Sequence, residues 1–170
     1  MNAGQDPFDF SSPYTDVAVL YAAQPVEGFV CLELVREQII PVCSPELLSR
    51  HSPESVEDLL RMPRIHCSIR PNEWPDWFAT LGVTIASNSA EHEMSSRELA
   101  IHAAAAGLGV ALGHAPLIDG SLEAGQLVVP YDHAMQSEHA YFLVTPAEKL
   151  LLPRVKALWE WASEVAACSH

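Results

Sequence analysis

Residues 94–112 constrain the fold more than any other segment of this sequence, because they specify a helix, its end and a following strand. Ser95, with Glu98 three residues further on, forms a capping box, which predicts a helix over residues 96–106. Gly107 can adopt the left-handed turn that ends such a helix, and the apolar residues after it predict a strand. A helix start presents free backbone N–H groups that favour an anion. The segment therefore indicates a ligand-facing helix on an α/β sheet.

The rest of the chain alternates short strands with short helices, a pattern typical of an α/β fold. Apolar runs predict strands over 16–21, 29–36, 38–43, 64–69, 110–112, 127–129 and 140–145. Ser44 with Pro45, and Ser55 with Asp58, are predicted to cap two short helices over 46–50 and 55–62. Glycine and proline signals predict further helices over 74–81 and 116–122 and a last helix from residue 153. The last helix is predicted to bury one face made of Val155, Leu158, Trp159, Ala162, Val165 and Ala166.

Composition and charge exclude several classes of protein. The chain has 170 residues and 49% apolar residues, enough for a folded core. Its 9 basic and 22 acidic residues give a net charge of −13, which opposes direct nucleic-acid binding by this chain. No apolar run is long enough for a membrane span, and residues 1–16 lack the features of a secretory signal. Cys31, Cys43, Cys67 and Cys168 form no CxxC pair, so we expect reduced thiols in a cytoplasmic protein.

Patterns for catalysis or metal binding are weak. The eight histidines are scattered and form no HExxH or HxH motif, and the sequence contains no GxSxG nucleophile motif. Cys43 precedes a helix start, where a thiolate could be stabilised, but it lies in an apolar run. We therefore expect no enzyme activity, no catalytic residues, no metal and no cofactor.

An ordered series of motifs resembles the effector-binding domain of LysR-type transcriptional regulators. The matching segments are DVAVLY at 16–21, IPVCSPELL at 40–48, WPDW at 74–77, residues 99–112, LEAGQLV at 122–128, YFLV at 141–144 and WEW at 159–161. The resemblance covers nearly the whole chain from about residue 8. No single motif is decisive, but their order is specific to the family.

The resemblance implies a periplasmic-binding-protein-like α/β fold with two lobes. Residues 1–37 and 130–170 would form a partial first lobe, and residues 38–129 the second lobe. In the family, a winged helix-turn-helix, a linker helix and an opening strand–helix–strand precede the part matched here. We therefore expect an incomplete first lobe, no DNA-binding residues in this chain, and apolar surface left exposed near the last helix.

In the family, effectors bind in a cleft between the lobes, and seven residues map there by resemblance. They are Tyr21, Ser68, Arg70, Trp74, Ser95, Ser96 and His114. Arg70 could clamp a carboxylate and Trp74 could stack on an apolar part of a ligand. Each also has a simpler interpretation: Ser95 as a helix cap, Arg70 as a solvated cation, Trp74 and Tyr21 as packing residues, and His114 as a plain loop position.

The resemblance implies regulation of transcription in response to a small organic effector, with an acid or an amino acid as the expected class. Binding would act by shifting the two lobes toward a closed state. The alternative is a truncated interaction module that dimerises with full-length relatives without sensing a ligand. Either hypothesis implies a homo-oligomer or a paralogue dimer.

Overall fold

The computed structural model describes Phe10, residues 15–85 and residues 92–168, and it shows the mixed α/β fold expected from the sequence. Its elements in chain order are β1 (Ala18–Ala22), β2 (Val30–Val42), α1 (Pro45–His51), α2 (Val56–Arg61), β3 (Ile65–Cys67), α3 (Glu73–Ala79), β4 (His92–Met94), α4 (Arg97–Ala105), β5 (Ala111–Ala115), α5 (Asp119–Glu123), β6 (Met135–Thr145), a 3₁₀ turn (Lys149–Leu151) and α6 (Pro153–Cys168). Hydrogen bonding gives the sheet order β1-β6-β2-β5 and a second sheet, β3-β4.

The chain divides into two compact units. Unit 1 contains Met1–Glu37 and Ser137–His170, and unit 2 contains Gln38–Gln136. Whether these units are the two lobes of the family fold, with the boundaries expected above, stays a prediction.

Unit 1 is built on the antiparallel pair of β1 and β6, in which Ala18 lies opposite Val144 and Ala22 opposite Ala140. The Asp16 carboxylate ties the start of this unit to its end, because it accepts a hydrogen bond from Arg154 at 2.6 Å. That hydrogen bond is the main reason why the pKa of Asp16 lies below its usual value.

Unit 2 contains two buried clusters around its short strands. The end of β2 pairs antiparallel with β5, with Ile40 opposite Gly113, and β3 pairs parallel with β4. The larger cluster is aromatic and aliphatic and includes Trp74, Trp77 and Phe78. The smaller cluster includes Ala100 and Ala104, whose small side chains allow α4 to lie close to its neighbours.

The helix starts show which local predictions hold. The Ser44 hydroxyl caps α1 by accepting the Leu47 N–H, and the Ser55 hydroxyl caps α2 by accepting the Asp58 N–H, so both predicted caps are confirmed. The predicted cap at Ser95 is wrong, because the cap of α4 is Ser96. Ser95 satisfies the capping-box pattern with Glu98, whereas Ser96 is followed three residues later by Leu99, so the backbone geometry and not the pattern identifies the cap.

Several predicted boundaries also change. The strands predicted over 29–36 and 38–43 form the single strand β2, since no turn residue separates them. The strand predicted over 127–129 is reduced to one bridge, between Cys43 and Val128. The helix predicted over 116–122 begins later, at Asp119.

The predicted buried face of α6 is correct only in part. Val155, Ala162 and Ala166 are buried, whereas Leu158 is 36% and Val165 is 46% exposed. The buried face is therefore narrower than the apolar pattern of the sequence, and part of that pattern faces solvent.

Candidate functional site

The site in unit 2 lies where the parallel strands β3 and β4 end. Cys67 and Met94 are opposite each other in these strands, and the Ser68 N–H donates to the Met94 carbonyl at 2.9 Å. Because parallel strands end at the same edge of a sheet, the segment from Ser68 to Arg70 lies beside the segment that starts at Ser95. The topology thus brings together two sequence segments that both contain predicted site residues.

The turn after β3 leads directly into α3. The Arg70 N–H donates to the Cys67 carbonyl at 2.9 Å, and the Glu73 N–H donates to the Arg70 carbonyl at 3.2 Å. Ser68 is exposed and Arg70 is half-buried. This turn therefore places the Arg70 side chain at the edge of the unit, close to the first residue of α3.

Trp74 serves mainly to hold this turn against the core. Its indole N–H donates to the Ile65 carbonyl at 2.8 Å, its ring stacks on Phe78, and its exposed fraction is 4%. The ring also borders the cavity described next, so an edge of it is within reach of a bound molecule.

A small polar cavity lies at this edge. Its lining residues are Ile65, His66, Cys67, Arg70, Glu73, Trp74, Arg97, Ala100 and Leu112. Its volume of about 10 Å³ holds about one water-sized group. The two arginines exceed the single carboxylate, so the lining carries net positive charge with its histidine neutral.

A buried polar cluster, two of whose members line the cavity, joins three elements. The Glu73 carboxylate, on α3, lies 3.2 Å from Nε2 of His114 on β5 and 3.7 Å from the Arg97 guanidinium on α4. The side chains of Glu73 and His114 are 10% and 3% exposed. The Oε1 atom of Glu73 accepts no hydrogen bond from the described residues, and its contact with His114 is an ion pair only when the imidazole is protonated.

The first turn of α4 supplies the remaining polar groups. The Ser96 hydroxyl accepts the Leu99 N–H at 3.2 Å, which occupies that oxygen in capping. Ser95 is exposed, whereas Ser96 is half-buried. The helix start therefore offers backbone N–H groups beside the Arg97 side chain.

Tyr21 belongs to unit 1 and has a defined environment there. Its hydroxyl donates to the Glu37 carboxylate, its ring stacks on His139 with centroids 4.9 Å apart, and it lies near the Tyr141 ring. Glu37 is only 1% exposed, so the tyrosine solvates a buried carboxyl group.

The structure brings six of the seven predicted residues into unit 2 and places two of them, Arg70 and Trp74, on the cavity wall. Sequence reasoning missed Glu73, Arg97 and His66. Arg97 follows the serine pair directly, and this proximity is the only local signal that could have identified it. Glu73 and His66 have no comparable signal, because only the fold brings them to the cavity.

Metal-binding clusters and membrane-spanning helices are both absent from the part of the chain that the structure describes. Within residues 15–85 and 92–168, no group of three His, Cys, Asp or Glu side chains is arranged to hold a metal ion. No helix in the same part of the chain has the length and apolar character needed to cross a membrane.

Comparison with protein families gives a match over residues 10–167 to the family model described as LysR substrate binding domain. The glycine cleavage system transcriptional activator of Escherichia coli K12 is 30% identical over 156 residues, which are 91% of this chain and 51% of that protein. The HTH-type transcriptional regulator TrpI of Pseudomonas aeruginosa is 29% identical over 98% of this chain and 57% of its own length. The chain thus spans about half the length of these relatives.

Solved structures show the same fold. The effector domain of the transcriptional regulator AmpR of Pseudomonas aeruginosa matches with a TM-score of 0.73 and 23% identity, over 95% of this chain and 77% of that one. The AmpR effector-binding domain from Citrobacter freundii matches with a TM-score of 0.72 and 21% identity, over 94% and 78% of the two chains. These likenesses show the fold, and the family match over residues 10–167 favours an effector-binding domain over an interaction module without a ligand.

Proposed function

This chain belongs to the LysR substrate-binding domain family, and on that premise we propose that its effector is a small organic acid or amino acid bound at the ends of β3 and β4. The observation that carries the proposal is Arg70. It lines the cavity and forms no ion pair with any described residue. A guanidinium without a carboxylate partner at a ligand-accessible edge favours an anionic group, which it can bind through two parallel hydrogen bonds.

The charge balance around Arg70 supports an anion. Arg70 and Arg97 line the cavity with Glu73 as the only carboxylate, in a chain whose net charge is −13. The charge of this lining is therefore opposite in sign to the net charge of the chain. Since the cavity holds about one water-sized group, it fits one carboxylate oxygen, with the rest of the ligand outside it.

The start of α4 supports the same class of ligand. This helix has nine residues, and its first turn lies beside the cavity residue Arg97. Free backbone N–H groups and the helix dipole stabilise a carboxylate there. Trp74 and the exposed Ser68 and Ser95 supply one apolar edge and two hydroxyl groups for the remainder of the effector.

For the longer protein to which such a domain belongs, we propose regulation of transcription. The two relatives described above are named as a transcriptional activator and a transcriptional regulator. A ligand transmits a signal only through its difference in affinity for two conformations, so the bound carboxylate must favour one of them. The free thiols of Cys31, Cys43 and Cys67 support the cytoplasmic location that this role requires.

The test is a thermal-shift screen of this chain against acetate, succinate, benzoate, glycine, serine and tryptophan. A ligand present at about 100 times its Kd stabilises the native state by about 2.7 kcal/mol, which raises the melting temperature. Arg70→Met should abolish the shift, whereas Arg61→Met, which removes an exposed cation from α2, should preserve it. A panel of acids and amino acids that leaves the melting temperature of the unmodified chain unchanged would overturn the proposal.

A further inference from the structure

The buried polar cluster of Glu73, Arg97 and His114 contains a titratable group that the proposed effector site does not use. That group is the imidazole of His114 on β5, whose side chain is 3% exposed. Its Nε2 atom lies 3.2 Å from the Glu73 carboxylate, and Glu73 lines the cavity. The imidazole therefore stands one side chain away from the place proposed for the carboxylate of an effector.

The charge of the Glu73–His114 pair depends on one proton. Histidine is the side chain whose charge ordinarily changes near neutral pH, since its unperturbed pKa is about 6.5. A neighbouring carboxylate favours the charged imidazolium, whereas burial disfavours it. The contact between Glu73 and His114 is an ion pair only when the imidazole is protonated. His114 thus decides how much of the negative charge of Glu73 is offset within the cluster.

The neighbouring groups set the background charge of this pair. The Arg97 guanidinium, 3.7 Å from the same carboxylate, stays positive at every pH near neutrality. Strand β2 pairs with β5 and places the apolar Ile39 opposite His114. The other ionisable side chains of the site lie on the cavity wall: they are His66 and Cys67 on β3 and Arg70 in the turn after it. His66 is therefore a competing source of any pH dependence of binding.

Protonation of His114 makes the site more favourable for an anion. With the imidazoles neutral, two arginines and one carboxylate leave one net positive charge, and a proton on His114 adds a second. The side chains of Glu73 and His114 are almost fully buried, so water and salt screen the added charge only weakly. The coupling is reciprocal: an anion in the cavity favours the proton by the same free energy by which the proton favours the anion.

We propose that this site takes up a proton from solvent when it binds a carboxylate effector, and that His114, beside Glu73, holds that proton. The proposal rests on the proposed effector site and adds a regulation of that site by pH. The protein then responds to a lower concentration of the same acid when the pH falls.

The experiment is calorimetric titration of the unmodified chain at about pH 5.5 and about pH 8. The probes are acetate, benzoate, glycine, serine and tryptophan, whose own charge hardly changes over that range. A probe that binds should do so about tenfold more tightly at the lower pH. Its heat of binding near pH 7, compared between buffers of different ionisation enthalpy, should report the uptake of up to one proton. This proton count needs no substitution, so it does not depend on the folding of a variant.

Two variants hold the site in its two charge states. Glu73→Gln removes the carboxylate and should bind the probe tightly at both pH values. His114→Gln cannot take up the proton and should bind it weakly at both. A purely structural defect would weaken the two variants alike, so their opposite behaviour is specific to the proposal. His102→Gln, which removes an exposed imidazole from α4, should keep the pH dependence of the unmodified chain.

The outcomes separate this proposal from the effector site itself. Equal affinity of the unmodified chain for a probe at both pH values would overturn the coupling and leave the effector site in place. A pH dependence that survives in His114→Gln and disappears in His66→Gln would do the same, because the proton would then sit on the cavity wall. Absence of binding by every probe at both pH values would overturn the effector site and the coupling together.

Discussion

The Glu73 carboxylate lies 3.2 Å from Nε2 of His114, with both side chains almost fully buried. The same carboxylate lies 3.7 Å from the guanidinium of Arg97. One side chain therefore links the first residue of α3, the first residue of α4 and strand β5. Since the Ser68–Arg70 turn precedes α3 and the serine pair precedes α4, Glu73 fixes the separation of the two segments that form the candidate site.

Replacing Glu73 by glutamine should destabilise the fold. The substitution keeps the shape of the side chain but removes its charge from a buried position beside Arg97, and it costs about 1–3 kcal/mol of unfolding free energy. Urea unfolding measures the change. Asp76→Asn removes an exposed carboxylate from the same helix and should change stability by less than about 0.5 kcal/mol. Equal effects of the two substitutions would show that the buried cluster contributes nothing specific.

The same Glu73→Gln variant should bind an anionic effector more tightly. Among the residues that line the cavity, Glu73 carries the only carboxylate, so its removal takes away the negative charge that competes with the ligand for Arg70. At an effective dielectric constant of about 20, a charge about 6–15 Å from the ligand is worth about 1–3 kcal/mol, which corresponds to a gain of about 5- to 150-fold in affinity. Calorimetric titration of the acid that stabilises the unmodified chain measures it, and a weaker affinity would contradict the assigned role.

The assignment of the α4 cap gives a prediction that separates two adjacent serines. Ser96→Ala removes the acceptor of the Leu99 N–H and should lower stability by about 1 kcal/mol. Ser95→Ala changes an exposed hydroxyl outside the helix and should have little effect on the ligand-free protein. Thermal unfolding of the two variants, without ligand, compares them directly. A larger loss for Ser95→Ala would restore the cap that the sequence pattern favoured.

The sequence predicted features that depend on local geometry. The caps at Ser44 and Ser55 follow from a side chain and a backbone N–H three residues apart, and Gly107 has the predicted left-handed φ of 82°. Such features need no knowledge of the rest of the chain.

The buried polar cluster could not be predicted in this way. Glu73, Arg97 and His114 are widely separated in the sequence, and each has an ordinary local context. They meet because β3 pairs with β4 and because α3, α4 and β5 surround that pair. Helical periodicity identified an apolar face of α6 but does not say how much of it another element covers, so the expectation of exposed apolar surface near this helix came from the family resemblance alone.

Gly109 is predicted to be intolerant of a side chain. A Cβ at this position would lie 2.6 Å from the Pro63 carbonyl oxygen and 3.2 Å from Ile65. The Pro63 carbonyl cannot move freely, because it accepts the Val110 N–H at 2.8 Å. Gly109→Ala should therefore cost about 1–3 kcal/mol through overpacking.

Gly120 provides the control for that substitution. It lies in α5 with nothing within 4 Å of an added Cβ. Gly120→Ala should leave stability unchanged or raise it by up to about 1 kcal/mol, since alanine favours a helix over glycine. The denaturant midpoint should fall for Gly109→Ala and should stay unchanged or rise for Gly120→Ala. A Gly109→Ala protein as stable as the unmodified chain would show that the segments at the starts of β3 and β5 do not lie this close together.

Burial of Cys43 predicts that its thiol is unreactive in the folded protein. Removal from water is the main cause that raises the pKa of Cys43 from 9.0 to about 11, so almost no thiolate is present at pH 8. Cys31 is only half-buried and should be alkylated first, as mass spectrometry of peptides after brief iodoacetamide treatment will show. The pKa of Cys43 is higher in the folded than in the unfolded protein. The contribution of this buried thiol to the free energy of unfolding is therefore complete below about pH 9 and is lost as the pH rises toward 11. Rapid labelling of Cys43 at pH 8 in the native protein would mean that β2 opens locally far more often than its buried position implies.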